Sequence, residues 1–206
     1  FPEVPGTAIV QLTPAGYCMY PGHVYSVGLH PWDIQDDWKA QMAKVAVMAM
    51  HPHVLAIGEA GLDKKKSPAP MGIQMDVFRE HVRLSEMLHK PLIVHCVKAI
   101  DELLAIRKEM GVKHPWVLHG YRGGPNQAEQ LRRVGIYVSL GLDYNTDTLL
   151  NMPFKYLLFE SDTYGDVSVL YNLTSEDMDA KEESVRSLVA KNIVAFLKSH
   201  YDASFE

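Results

Sequence analysis

The sequence lacks any long apolar stretch. Its longest uninterrupted run, residues 45–50, is six residues, against the roughly 20 that a membrane-crossing helix needs. It has only two cysteines, Cys18 and Cys96, too few for a disulfide framework, and they are read as reduced thiols of a cytoplasmic protein. No charged-then-apolar leader pattern opens the chain. Asn172-Leu173-Thr174 spells a glycosylation acceptor that matters only in a secreted protein, and is read as chance. Basic charge is also short: Lys and Arg number 20 against 25 Asp and Glu, a formal charge of −5. A basic, sequence-independent nucleic-acid clamp is therefore not indicated. No G-x-G-x-x-G follows any apolar run, which weighs against a dinucleotide-binding sheet. A Met start is absent as well, since the chain begins at Phe1.

What is present is an ordinary globular composition. Of 206 residues, 47% are hydrophobic and 22% charged, which excludes a disordered chain and fits one domain over residues 1–206. Short apolar runs alternate with longer amphipathic stretches. The runs are Ala8-Ile9-Val10, Val24-Tyr25-Ser26-Val27, Val54-Leu55-Ala56-Ile57, Leu92-Ile93-Val94, Trp116-Val117-Leu118, Ile136-Tyr137-Val138 and Tyr156-Leu157-Leu158-Phe159. They read as parallel strands buried on both faces. Met75, Phe78, Val82 and Leu88 stripe a helix over residues 71–89 that Pro91 ends, and Ile100, Leu103, Leu104 and Met110 stripe another that stops at Gly111. Trp38, Met42, Val45 and Ala49 mark an earlier helix, and Val185, Leu188, Val189, Ile193, Phe196 and Leu197 a C-terminal one. Seven strands in this alternation predict an α/β fold, a TIM-type (β/α) barrel in preference to an open doubly wound sheet. Between Val10 and Val24 there is no room for a crossover helix, so the first unit is degenerate or closed by a tight loop.

In a parallel barrel the strands' C-terminal ends open on one face. The polar residues at those ends are His30, Glu59, His95, His119 and the Glu160-Ser161-Asp162 triplet. Each alone has a structural explanation, such as a helix cap for Glu59. Together, several histidines and carboxylates in one cavity are costly unless paired or bound to a cation. Imidazole with carboxylate suits one or two divalent ions: Zn²⁺, Mn²⁺ or, if carboxylates dominate, Mg²⁺. His51-Pro52-His53 has the spacing of a metal pair but precedes its strand, at the opposite end from Glu59, and is read as a structural loop. His23, His81, His89 and His200 are assigned packed or solvated roles.

Five ordered segments now stand out: Val27-Gly-Leu-His-Pro-Trp32, Ile57-Gly-Glu-Ala-Gly-Leu-Asp63, Pro91-Leu-Ile-Val-His-Cys96, Val117-Leu-His-Gly-Tyr121 and Leu158-Phe-Glu-Ser-Asp162. Their succession resembles the motifs of TatD-type metal-dependent deoxyribonucleases, members of the amidohydrolase-like barrels. The resemblance implies a one- or two-metal site that cleaves phosphodiester bonds in DNA. It matches Glu59 to a ligating carboxylate that can bridge metals, His95 and His119 to histidine ligands, and Asp162 to a ligand that orients or deprotonates the attacking water. Glu59 and Asp162 thus become the catalytic pair, and His30 matches a histidine near the substrate phosphate.

The family pattern opens with a strand ending in His-x-His, and nothing before Val24 supplies one. The expectation is a barrel with its first strand missing from the chain as given, with metal occupancy weakened accordingly. Lys98 stands in place of a common Arg, and Arg122 lies in a Gly-rich loop; both are candidate phosphate contacts, and Lys64-Lys65-Lys66 could meet the same backbone. After Asp162 the usual proline-rich segment is replaced by Thr163-Tyr-Gly-Asp-Val-Ser168. The leading expectation is a monomeric DNA exonuclease with DNA as transient substrate and no membrane partner. The alternatives are a hydrolase of small esters, amides or phosphoesters on the same barrel, and a non-catalytic barrel that has lost its ligands.

Overall fold

The computed structural model describes residues 8–16, 18–162, 168–178 and 182–198. The chain divides into two compact units, one ending at His114 and the other starting at Pro115.

The first unit carries β1 (Ile9–Leu12), β2 (Val24–Val27), α1 (Trp38–Ala49), β3 (Val54–Asp63), α2 (Met71–Leu88), β4 (Leu92–Val97) and α3 (Ile100–Met110). Its strands pair in chain order and all in parallel, as β/α units require. β1 and β2 are joined without a helix among the described residues, through a turn in which Thr13 bridges Gly16, the tight loop expected there. α2 buries Phe78 and Val82 of the predicted stripe together with Gln74, Val77, His81, Leu84 and Ser85, while Met75 and Leu88 are half-buried. His89 closes α2 in the left-handed conformation, and β4 follows Pro91. α3 has Asp101 and Glu102 in its first turn and Arg107 and Lys108 in its last, charges that complement the helix dipole at both ends. It stops at left-handed Gly111.

The second unit carries β5 (Trp116–Leu118), α4 (Pro125–Arg133), β6 (Ile136–Leu140), α5 (Thr146–Asn151), a 3-10 turn (Phe154–Tyr156), β7 (Leu157–Phe159), α6 (Ser168–Asp177) and α7 (Glu182–Lys198). β5, β6 and β7 are again parallel and sequential. α4, α5 and α6 were not foreseen from the pattern. α4 buries only Ala128 and Leu131, too few for a visible stripe. α5 has six residues, nucleated by Asn145, whose side chain accepts from the Thr148 amide at 2.9 Å. α7 is the predicted C-terminal helix. Its Phe196 ring packs against Tyr137 of β6, and Asn192 donates to the carbonyls of Phe154 and Leu157 at 2.6 and 2.9 Å. That leaves seven strands among the described residues, each predicted run forming one. The segment 163–167 noted after Asp162 lies outside the described residues.

One strand differs from its expected length in a way that matters. β3 does not end at Ile57 but runs ten residues to Asp63, so Glu59 lies inside the strand. Two glycines let it do so. A Cβ on Gly61 would collide with the carbonyl of its β4 partner, His95, and one on Gly28 would collide with the backbone of Gly58 and Glu59. Filling Gly61 forces β3 and β4 apart where they carry Glu59 and His95. The Gly61→Ala variant is expected to lose about 3 kcal/mol, at the upper end of overpacking costs. This should appear as a melting temperature roughly 6–12 °C lower in a circular-dichroism melt; an unchanged melt would show that the strands can part freely.

Candidate metal centre

Glu59 and Asp63 lie four residues apart on β3, and side chains alternate along a strand, so both face one side with Gly61 between them. His95 on β4 pairs with Gly61, whose missing side chain lets the His95 backbone carbonyl lie against β3. The result is a chain of close contacts. His95 Nδ1 is 2.9 Å from Glu59 Oε1, and His95 Nε2 is 3.2 Å from Asp63 Oδ2. His30, just past β2, brings its Nε2 to 3.3 Å from the same Glu59 oxygen. His30, Glu59 and His95 offer ligand atoms all within 4.8 Å of one another.

Hydrogen bonding separates the roles of the two histidines. The Trp32 amide donates to His30 Nδ1 at 3.2 Å. A neutral imidazole that accepts at Nδ1 carries its proton on Nε2, so His30 presents a donor to Glu59. His95 differs, because its two nitrogens both face carboxylates that can only accept, Glu59 at Nδ1 and Asp63 at Nε2. A divalent ion bound by Glu59 would take the place of a proton on Nδ1 and leave the Nε2 proton to Asp63. Cis ligands at bond lengths of 2.0–2.1 Å from an octahedral ion stand about 3 Å apart, so Glu59 and His95 fit a divalent metal. Cys96 follows His95, but burial pushes its thiol up to about 11, so it is not the thiolate that a metal would need.

Asp63 is 1% exposed and fully engaged. Its Oδ1 accepts from the amides of Lys65 and Lys66 at 2.7 and 2.9 Å, and its Oδ2 from the Trp32 indole at 2.6 Å. The Gln74 side chain of α2 holds its backbone from both sides, accepting from the Asp63 amide and donating to its carbonyl. Burial alone would raise the carboxyl, but donation from Trp32, Lys66, Lys65 and His95 outweighs it and holds Asp63 down at about 2. The Trp32 ring stands edge-on to both imidazoles, 4.8 Å from His30 and 5.7 Å from His95, with the Lys66 ammonium 4.8 Å from its centroid. Beneath them, buried His81 of α2 accepts from the Leu29 amide at 2.9 Å and bonds the Val77 carbonyl at 2.8 Å, fixing the turn that carries His30.

In the second unit, His119 follows β5 and Glu160 follows β7; His119 Nδ1 and Glu160 Oε1 are 3.0 Å apart. Arg122, Glu160 and Asp162 line one depression together with Gly120 and Gly141. Asp162 is exposed, with a left-handed backbone. Arg122 is largely exposed and pairs with Asp143 at 3.1 Å. Lys98 is exposed just past β4, and Lys64 is tied to Glu102 at 2.6 Å. His51 and His53 sit in an exposed loop, ring against ring and apart from the centre, as expected of a decoy. Sequence reasoning gave no role to Asp63 or Trp32, placed Glu160 at its strand end without a specific role, and gave His81 only a packed or solvated one. Asp63 and Glu160 had a signal, standing in the quoted motifs beside the assigned acids; His81 offered nothing but a place on a helix.

The profile of the family described as TatD related DNase matches residues 11–198. Among curated relatives, the chain is 31% identical over 117 residues to the uncharacterized metal-dependent hydrolase YabD of Bacillus subtilis, covering 56% of this chain and 46% of that one. It is 31% identical over 153 residues to the uncharacterized metal-dependent hydrolase BU355 of Buchnera aphidicola, with 68% and 58% covered. It is 29% identical over 154 residues to the 3'-5' ssDNA/RNA exonuclease TatD of Klebsiella pneumoniae, with 69% and 58% covered. The chain thus spans about half the length of these relatives. The crystal structure of YjjV, a TatD homolog from Escherichia coli, superposes with a TM-score of 0.78 at 20% identity, over 91% of this chain and 85% of that one. That likeness fixes the fold as the TIM-type α/β one the alternation predicts. The described residues contain no helix long and apolar enough to cross a membrane. The extent of the family match and the parallel β/α order agree: this chain belongs to the TatD family of metal-dependent hydrolases.

Proposed function

We propose that this chain is one hydrolase domain that cleaves phosphodiester bonds in DNA, as a TatD-type exonuclease of the reducing cytoplasm. The observation that carries the reading is the approach of Glu59 and His95 within 2.9 Å in a half-buried cluster, with a donor set suited to Mg²⁺, Mn²⁺ or Zn²⁺. The name of the Klebsiella relative supports nucleic acid as substrate.

In this reading Glu59 and His95 would hold a divalent ion, and His119 and Asp162 keep the ligand roles that the motif resemblance implies for them. The bound ion supplies charge neutralisation and a water whose pKa falls from 15.7 to about 7. His30 keeps Glu59 oriented through its Nε2 proton and turns that donor to a non-bridging phosphate oxygen when substrate arrives. Asp162 orients the attacking water and accepts its proton. Lys98 and Arg122 contact flanking phosphates as point charge and fork, respectively, Arg122 leaving Asp143 to do so. A chain of net −5 can meet a polyanion in this way because local charge at the site outweighs the total.

The test is turnover of single-stranded DNA with Mg²⁺ or Mn²⁺, run beside a panel of small esters, amides and phosphoesters. Digestion of DNA that stops on chelation is expected. Turnover of the small panel with DNA left intact would replace the nuclease reading with small-substrate hydrolysis on the same centre; inertness toward both, without metal uptake, would make the barrel non-catalytic.

A further inference from the structure

We propose that Asp63 is the positioning residue of the metal centre: it holds the His95 proton on Nε2, so that Nδ1 is the atom directed to the metal. The inference rests on the metal-centre reading above and goes beyond it, because it fixes which nitrogen binds and what makes it bind. Asp63 touches neither substrate nor metal in this assignment and acts only through His95.

The geometry leaves Asp63 little else to do with Oδ2. Gln74 clamps its backbone at both the amide and the carbonyl, and two successive amides, Lys65 and Lys66, saturate Oδ1. Oδ2 therefore points one way, toward the Trp32 indole and His95 Nε2. A carboxylate in that position can only accept, and Glu59 stands in the same relation to Nδ1; once an ion bound by Glu59 takes Nδ1, the ring's remaining proton is the one given to Asp63. A ligating histidine whose second nitrogen donates to a carboxylate is fixed in tautomer and orientation and is the more basic for it. His95 gains the same from its surroundings: it is 8% exposed, wedged against the His30 ring at 4.5 Å and the Trp32 ring at 5.7 Å, so it cannot turn over without displacing both.

The arrangement makes Asp63→Asn a sharp probe. The Lys65 and Lys66 amides will keep the Asn carbonyl in the Oδ1 place, which puts its NH₂ group where Oδ2 was. That group donates, so His95 Nε2 must accept and the proton moves to Nδ1, the atom that would bind metal. The contacts with Gln74, Lys65 and Lys66 survive, the Trp32 indole loses its acceptor, and the tautomer inverts, which a purely structural role for Asp63 would not produce.

The experiment is ¹⁵N-detected imidazole NMR of the whole chain at pH 8, with the His95 signals assigned by their loss in His95→Gln, and with Zn²⁺ added as probe. In the native protein zinc is expected to shift His95 Nδ1 while Nε2 keeps its proton. In Asp63→Asn the zinc-free ring is expected to carry its proton on Nδ1, and the zinc concentration that shifts His95 to rise about 10–100-fold. Trp32→Phe, which removes the other donor on Oδ2, is expected to leave the tautomer unchanged. Zinc binding through Nε2 in the native protein, or an Asn variant with unaltered tautomer and affinity, would overturn the Asp63 assignment and leave the metal centre standing. Zinc that perturbs no His95 nitrogen would remove the metal-centre reading, and the Asp63 role with it.

Discussion

Replacing Glu59 by Gln is expected to lower the proposed phosphodiester hydrolysis at least about 1000-fold, a loss of about 4 kcal/mol in transition-state stabilisation, while the protein stays folded. Both histidine contacts of the centre meet at a single Glu59 oxygen, Oε1, approached by His30 Nε2 at 3.3 Å and His95 Nδ1 at 2.9 Å. Gln keeps the shape and an acceptor for the His30 proton but loses the negative charge that a divalent ion needs from a ligand. A metal site stabilises the transition state by several kcal/mol through charge neutralisation and water activation, and most of that goes with the ion. The measurement is single-turnover cleavage of a labelled oligonucleotide in Mn²⁺, beside a melting curve for each protein. The matched control is a His51→Ala, His53→Ala double variant, which removes two exposed imidazoles outside the centre and is expected to cleave as the parent does. Retention of a tenth or more of the activity in Glu59→Gln would displace Glu59 from the reaction.

Why Glu59, His95 and His30 could be read from sequence while Asp63 could not is a matter of strand length. Apolar runs mark where a buried strand begins, and the polar residue that breaks the run looks like its end. That logic works for β2 and β7, where His30 and Glu160 do follow the last strand residue. It fails for β3, whose last six residues, Gly58 to Asp63, include two glycines and two acids, and no periodicity predicts a strand there. What keeps the chain extended is not side-chain propensity but backbone approach: Gly61 lies against the His95 carbonyl. Had the strand been carried on, alternation would have put Glu59 and Asp63 on one face and made Asp63 an evident partner. His95 likewise sits inside β4, not after it, yet it was found because a histidine in an otherwise apolar run is conspicuous.

The helices divide along a similar line. α1, α2, α3 and α7 have 11 to 18 residues and enough apolar turns to leave a stripe. α4 and α5, at nine and six residues, are held by Pro125 at the first turn and by the Asn145 cap, signals of one residue each. The family motifs supplied what periodicity could not, an assignment of His119 and Asp162 to the same chemistry. They were silent on His81, which belongs to no motif and whose importance comes from where α2 places it.

His81 should give the protein a specific weakness in acid. The side chain is fully buried; burial is the main cause that lowers it to about 4, with the Val77 carbonyl opposing in the other direction. With Nδ1–H given to Val77, Nε2 must stay bare to accept the Leu29 amide, so only the neutral ring fits. The sign follows from linkage. Above pH 6.5, the usual value for an exposed histidine, the ring is neutral in both folded and unfolded chains, and its contribution is fully present. Between pH 6.5 and about 4 the unfolded chain takes up a proton that the folded one refuses, and stability falls by about 1.4 kcal/mol per pH unit, to a loss of about 3 kcal/mol. Below that the folded ring titrates too and the loss levels off. Asp63, held at about 2, adds its own loss only below the ordinary carboxylate range, so the two windows do not overlap. Urea unfolding at pH 7.5 and pH 4.5 separates them: His81→Gln, which cannot be charged, is expected to be the less stable protein at pH 7.5 and to close most of that gap at pH 4.5. A gap that stays constant with pH would mean that His81 is protonated inside the fold. The Leu29 turn would then be held by packing alone, and His30, carried on that turn, would keep its place in acid.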